Sequence, residues 1–388
     1  MEALGPALAK LGGMLIYPVA FLFVLTIVVF VHEFGHFWVG RLCGVGVRAF
    51  SIGFGRELFG WYDRHGTRWK LSAIPLGGYV KFVGDMNGAS VPDDETLASM
   101  SPSERAVSFH HQPLWKRAAI VAAGPLANFI LAIAVFATVT YVNGRHVLIP
   151  RIEVVQVGSP AEGAGFRVAD IVISIDGRLI GSFSELQRIV STSAGDRLTF
   201  VVDRNGNRVT LEATPAVREV EVAGFGKQRM GILGLQGSRN PADLSLVRYG
   251  LLDSVGTGFS ETWNVVDRTM NYLGKLVSGR ESPQQLSGPI GIMRVSGDVA
   301  TVGGLGPLVG LIAILSVSIG LLNLFPVPLL DGGHLLFYAV EAVRGRPLSD
   351  KAQEIGFRIG LALVVMLMLF ATWNDIVHLG AAFSSRGT

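Results

Sequence analysis

The sequence predicts a polytopic α-helical membrane protein of four transmembrane segments, with one small α+β domain inserted between the second and third. Three observations predict it. Charged residues make up only 16 % of the 388 residues and hydrophobic ones 49 %, where a soluble globular chain carries about 25 % charge. Long runs without a charged residue recur four times along the chain. Between the second and third runs, residues 151–215 change to short alternating stretches separated by turn residues.

Residues 11–31 carry no charge and suffice for one spanning helix. A secretory leader is the rival reading, but only Lys10 precedes the run and no small-x-small cleavage site follows it. The other uncharged runs lie between Arg117 and Arg145, between Asp298 and Asp331, and between Arg358 and Asp375. Arg358 can extend its charge toward the membrane surface along its aliphatic stem.

Lysine and arginine crowd the loop 40–116, with Arg41, Arg48, Arg56, Arg64, Arg68 and Lys70 among them. Arg344, Arg346 and Lys351 follow the third run. Positive loops stay cytoplasmic, so both termini and the 144–300 region are expected on the opposite side, the periplasm of a bacterium. The chain then divides into a membrane unit at 1–143, a folded domain at 144–220, an amphipathic linker at 221–298 and a second membrane unit at 299–388. Asn205-Gly206 marks a hairpin, and Ser182 with Glu185 opens a short helix. Residues 243–280 have apolar positions at helical spacing, and the polar stretch 85–113 reads as a loop. A net charge of +3 gives no case for nucleic acid. The single cysteine, Cys43, excludes an intramolecular disulfide and C-x-x-C metal motifs.

The chemistry is concentrated in two places. His32-Glu33-Phe34-Gly35-His36 is an H-E-x-x-H motif. On a helix, positions i and i+4 share a face, so both imidazoles reach one metal and the intervening Glu33 stands beside a water that it can deprotonate. The motif falls at the end of an uncharged run, where ionisable groups are costly and usually functional. A zinc site needs a third protein ligand. The best candidate is Asp331, within Asn323-Leu-Phe-Pro326-Val-Pro328-Leu-Leu-Asp331-Gly332-Gly333-His334. Prolines and glycines interrupt the apolar segment there, and broken helices at membrane depth are tolerated where they line a polar cavity.

These two motifs resemble the signatures of the site-2 protease family of intramembrane zinc metalloproteases, in particular the branch that regulates sigma-E. Gly124-Pro125-Leu-Ala-Asn128-Phe and Ser287-Gly288-Pro289-Ile-Gly291-Ile are similar to further family features. The resemblance covers nearly the whole chain. It implies Zn2+ on His32, His36 and Asp331, Glu33 as catalytic base, and Asn323 holding substrate near the metal. It implies cleavage of transmembrane segments of single-span membrane proteins, such as anti-sigma factors and remnant signal peptides, in the bacterial inner membrane. Residues 159–177 resemble the core of a PDZ domain, with Ala169 where glycine is usual. That domain either takes a peptide in a groove at residues 151–156 and the helix around Leu186 and Ile189, or blocks access sterically. There is room for one such domain, where the sigma-E regulators carry two.

Leu71–Phe82 reads as a hairpin-like pair of apolar runs about Gly77-Gly78. In the family such a segment dips toward the metal, which makes Gly77, Gly78 and Tyr79 candidate substrate contacts. His334, one turn after Asp331, is read as a neighbour of the ligands, because a catalytic zinc keeps one position for water. A cation transporter using His32, His36 and Asp331 is the rival class, but it leaves Glu33 without a role.

Overall fold

The computed structural model describes residues 4–87, 94–222, 226–238, 240, 243–279 and 287–384. Helix α1 (Leu4–Leu42) runs unbroken past the HEFGH motif. Strands β1 (Val47–Tyr62) and β2 (Arg68–Phe82) follow it. Two short helices come next, α2 (Asp94–Ser99) and α3 (Pro102–Val107), and then α4 (Leu114–Asn143). The polar 85–113 stretch is thus partly helical rather than a plain loop. Ser101 and Glu104 form a capping box there that satisfies the first turn of α3. Residues 88–93 of that stretch lie outside the described residues.

The segment after α4 contains β3 (Arg145–Leu148), β4 (Ile152–Val155), α5 (Pro160–Gly163), β5 (Ile171–Ile175), β6 (Arg178–Leu179), α6 (Phe183–Thr192), β7 (Leu198–Arg204) and β8 (Asn207–Ala213). It continues through β9 (Ala216–Val222), β10 (Gly226–Ile232), β11 (Leu235–Gly237) and β12 (Leu244–Val247). The chain then returns to helices: α7 (Leu251–Val277), α8 (Pro289–Gly303), α9 (Leu305–Asn323), α10 (Asp331–Arg344) and α11 (Asp350–Ser384). Four helices are long and apolar enough to cross a membrane, over Leu15–Leu42, Leu114–Asn143, Leu305–Asn323 and Lys351–Val377. They coincide with the four uncharged runs. The third run divides in two, because Gly304 at φ 67° ends α8 and begins α9.

The chain forms two compact units, Met1–Thr138 with Ser254–Thr388, and Val139–Asp253. In the second, a sheet of order β6-β5-β7-β8 and helix α6 enclose Ile152, Phe166, Phe200, Val202 and Leu186. Strand β11 returns to pair with β4, and β12 with β3. Residues past 220 therefore fold with this unit, and only α7 keeps the amphipathic helical character expected of 243–280. These pairings also remove the peptide groove expected at 151–156. Val155 and Val154 lie opposite Leu235 and Gln236. On the other side, the Ile152 amide donates to the Asp170 carbonyl and the Ala169 amide donates to the Ile152 carbonyl. At Ile152 both edges of β4 are bonded, and Leu186 is buried in the core.

In the first unit, α1 packs along α9 through Ala20, Val24, Val28, Leu308 and Ile312. Helix α4 packs on α9 and α7 through Ala132, Val317 and Val265. Strands β1 and β2 lie against the ends of α1 and α4 around Phe37, Phe50, Phe82 and Ile120. Their register corrects the expected hairpin about Gly77-Gly78. Phe50 lies opposite both Val80 and Trp69, and Ile52 opposite both Gly78 and Leu71. The runs 68–71 and 78–82 are therefore not partners of each other. They flank residues 47–52, one on each side, and 57–62 pairs outside 68–72. Gly53 and Gly55, at φ 88° and 83°, reverse the chain within β1.

Asp63 ties this sheet to the end of α1. Its carboxylate accepts from the amides of His65 and Thr67, from Trp69 Nε1, and from Arg41 Nη2 at 2.5 Å. Burial acts to raise its pKa, but these donors outweigh it and hold the carboxyl down at about 2. A depressed carboxyl stabilises the fold above its unfolded pKa of about 3.9, and that contribution is lost as pH falls toward the folded value. Hydrogen exchange at the His65 and Thr67 amides is therefore expected to accelerate between pH 4 and 2 relative to neighbouring amides, and an Asp63→Asn variant to exchange fast already at neutral pH. Equal protection in the variant would show that the turn does not depend on this charge.

Candidate metal centre

Helix geometry places His32 and His36 on one face of α1, with ring centroids 4.8 Å apart. Their Nε2 atoms stand 3.2 Å from each other. Asp331 arrives from the far end of the sequence: His32 Nε2 lies 3.1 Å from its Oδ2, and His36 Nε2 lies 3.5 Å from its Oδ1. The three side chains form the metal-type cluster found among the described residues. A tetrahedral zinc with bonds of about 2.0–2.1 Å has ligand–ligand edges of about 3.3–3.4 Å; the Nε2–Nε2 separation and the nearest approach of each imidazole to the carboxylate, made to different oxygens, lie close to that. Asp331 Oδ2 is buried with His32 Nε2 beside it, and no well-formed hydrogen bond reaches it among the described residues. An acceptor left alone in an apolar interior is costly, and a cation among these three groups removes that cost. The donor set fits zinc, with two imidazoles, one carboxylate and a position left open.

The chain holds Asp331 here by a tight turn. Helix α9 ends at Asn323, residues 324–330 fold back, and α10 begins at Asp331. Leu329 sits at φ 101°, a strained conformation for a branched side chain. A Cβ on Gly332 would lie 2.2 Å from the Leu324 carbonyl oxygen, and one on Gly333 would lie 2.3 Å from that of Val327. Both glycines let the turn close onto the first turn of α10. The start of a helix also favours a negative side chain.

Helix α4 completes the frame. The Ile120 carbonyl lies 2.9 Å from His36 Nδ1 and accepts its proton when Nε2 faces the metal. A Cβ on Gly35 would lie 2.3 Å from the Ala123 carbonyl oxygen, so α1 and α4 cross in backbone contact. A Cβ on Gly124 would stand 2.2 Å from His36 Nε2. Neither role was read from the sequence, although the Gly124-Pro125-x-x-Asn128 pattern signalled that α4 mattered.

A cavity of about 710 Å3 opens on the cluster. It is lined by Glu33, by Asn323 at the end of α9, by Gly77, Gly78 and Tyr79 of β2, and by His334. The metal-ligand, base and substrate-contact candidates read from the sequence are thus brought to one place. Gly78 touches Glu33 closely: a Cβ there would lie 2.8 Å from Glu33 Cγ and 3.0 Å from Val29 Cγ1. His334 turns its ring toward Phe357, with centroids 5.5 Å apart.

Residues 20–367 match the profile of peptidase family M50. A protein of Mesorhizobium japonicum carrying a zinc-metalloprotease name is 50 % identical, with 92 % of this chain and 98 % of that one covered. The metalloprotease MmpA of Caulobacter vibrioides is 43 % identical, over 94 % of this chain and 96 % of its own length. The regulator of sigma E protease of Salmonella typhi is 30 % identical, over 93 % and 98 %. A PDZ domain of an SdrC-like protein from Listeria monocytogenes covers 20 % of this chain and 84 % of its own, at 16 % identity and a TM-score of 0.16.

The space beside His36 gives a test. Gly124→Ala is expected to displace the imidazole and lower zinc content at least about 10-fold, as loss of ligand support typically does, while Gly163→Ala, whose added Cβ meets nothing within 4 Å, is expected to leave it unchanged. Full zinc occupancy in Gly124→Ala would show that α4 does not confine the ligand.

Proposed function

The chain belongs to peptidase family M50, the site-2 proteases, and on that premise we propose that it is an intramembrane endopeptidase cutting transmembrane segments of single-span membrane proteins. It is a zinc metalloprotease by family. The observation that carries the finer reading is the cluster itself: His32 and His36 on a helix long enough to span a membrane, Asp331 brought beside them at the start of α10, and Glu33 between the two histidines. Zinc held by His32, His36 and Asp331 supplies Lewis acidity, polarising a carbonyl and acidifying water. Glu33 takes the proton of the attacking water and returns it to the leaving amine. Asn323 offers an amide to the extended substrate backbone. Residues Gly77–Tyr79, at the edge of the 78–82 run, offer backbone donors and acceptors to the same strand.

A transmembrane helix must be opened before it can be cut, because its peptide groups bond to one another. Opening it in lipid leaves polar groups unsatisfied at several kcal/mol each. Strand pairing at Gly78 replaces those bonds beside the base. The Salmonella relative is named for regulating sigma E, and the family resemblance makes anti-sigma factors and remnant signal peptides the proposed substrates. We place the protein in a bacterial inner membrane, with the 40–116 loop cytoplasmic and the termini and the Val139–Asp253 unit periplasmic. That unit, read as a PDZ domain, acts as a steric filter excluding substrates with bulky outer domains. The bonding of β4 on both edges at Ile152 favours this role over peptide capture there.

Three outcomes test the reading. Glu33→Gln is expected to retain zinc and lose at least about 100-fold in cleavage rate, the lower end of a general base's contribution; cleavage near the normal rate sinks the assignment. Asp331→Asn is expected to lose zinc and activity together, in metal analysis of purified protein. Asn323→Ala is expected to slow cleavage with zinc retained, and parallel loss of zinc would make Asn323 a structural residue instead.

A further inference from the structure

Helix α4 carries a polar side chain that none of the roles above uses. Asn128 is fully buried. It lies one turn beyond Gly124 on the face that meets α1, and its amide nitrogen is 3.3 Å from His32 Nδ1. Its Oδ1 is buried with no hydrogen-bond partner among the described residues. The residue is also clamped from behind: Ser316 Oγ donates to the Asn128 carbonyl at 2.9 Å, and a Cβ on Gly320 would lie 3.1 Å from Asn128 Cβ. Helix α9 thus fixes the position of a side chain whose amide lies at a metal-ligand candidate.

The proton count on His32 decides how this amide is oriented. His32 turns Nε2 toward Asp331 and His36. A neutral imidazole that gives Nε2 to a metal carries its proton on Nδ1 and must donate it. An amide nitrogen is itself a donor and cannot accept it. The oxygen and nitrogen of an asparagine amide are nearly the same size and exchange places by a half-turn about the last side-chain bond, so their assignment follows from the hydrogen-bond network. Either orientation leaves one amide atom without a hydrogen-bond partner among the described residues, so the internal bond count does not choose. The Nδ1 proton does: it requires Oδ1 at the imidazole.

Resting on the metal assignment proposed above, we infer that Asn128 is a positioning residue of the metal centre, accepting the Nδ1–H of His32 through Oδ1 and holding Nε2 on the cation. The two histidines are then oriented alike, His36 by the Ile120 carbonyl and His32 by the Asn128 amide, both from α4. An amide fits this place better than a carboxylate in one respect: it accepts the proton without adding a third negative charge beside Glu33 and Asp331. It also assigns chemistry to the glycine–asparagine spacing of α4, in which Gly124 clears space for one imidazole and Asn128 aims the other.

The experiment compares zinc release to a chelator, and the d–d absorption of the cobalt(II)-substituted protein, in the detergent-solubilised full chain and in Asn128→Leu, Asn128→Asp and Ser316→Ala variants. Asn128→Leu keeps the volume and removes the acceptor, and is expected to weaken zinc retention about 10–100-fold and to shift the cobalt spectrum. Asn128→Asp restores an acceptor and is expected to retain zinc within a few-fold of the parent. Ser316→Ala, which frees the backbone but not the amide, is expected to lie between them. A packing role predicts the reverse order, with leucine tolerated and the buried charge of aspartate worst, and that order would overturn the inference, as would zinc retention in Asn128→Leu equal to the parent's. Failure of the parent protein to bind zinc at all would instead sink the metal assignment.

Discussion

The first unit is organised around one electrostatic constraint: two imidazoles and two carboxylates share one small volume inside an apolar body. His32, Glu33 and His36 come from one helix and Asp331 from a turn near the other end of the sequence. Isolated charges at such depth are costly. The cost is bearable only if the groups neutralise one another, directly or through a cation, and if the surrounding backbone approaches closely enough to hold them. The short separations among Nε2 and carboxylate oxygens meet the first condition. Glycine meets the second.

The contacts nearest the cluster are made by residues without side chains. Gly35 and Gly124 let α1 and α4 touch at the ligands, Gly332 and Gly333 let the turn fold onto the helix that presents Asp331, and Gly78 lets a strand reach Glu33. Each is a place where an added Cβ would lie under 3 Å from another atom. Glycine weakens a helix or strand by roughly 0.5–1 kcal/mol relative to alanine. Its use at these positions in α1, α4, α10 and β2 trades local stability for the geometry of the site.

This explains what the sequence revealed and what it hid. The i, i+4 spacing of His32 and His36 is a local property of a helix, and an aspartate behind two prolines in an uncharged run is conspicuous by chemistry alone. Both were legible. The arrangement of β1 and β2 was not, because Gly77-Gly78 looks like a turn in one dimension. Only the long-range register shows that residues 47–52 separate the two runs that flank it. The C-terminal limit of the Val139–Asp253 unit was hidden for the same reason, since β11 and β12 pair with strands far back in the chain. Asn128 and Ile120 act through a side-chain amide and a backbone carbonyl, neither of which carries a signature in spacing or composition. The sole trace was a glycine and an asparagine four residues apart.

The strand at Gly78 carries the argument from metal site to peptide substrate. A site built only to hold or pass a cation has no need of a sheet edge, and no need to bring that edge into contact with the acid between its ligands. Here the two are joined: the glycine that admits β2 to the cavity is the one that touches Glu33. A segment laid along this edge would be extended, its peptide groups satisfied by strand pairing, and its carbonyl carbons delivered next to the base. Opening a helix in lipid and attacking one of its bonds are separate problems in free energy. The first concerns unsatisfied backbone groups and the second proton transfer and charge. On the proposed function, one close contact between a strand and a helix would let the same few residues address both.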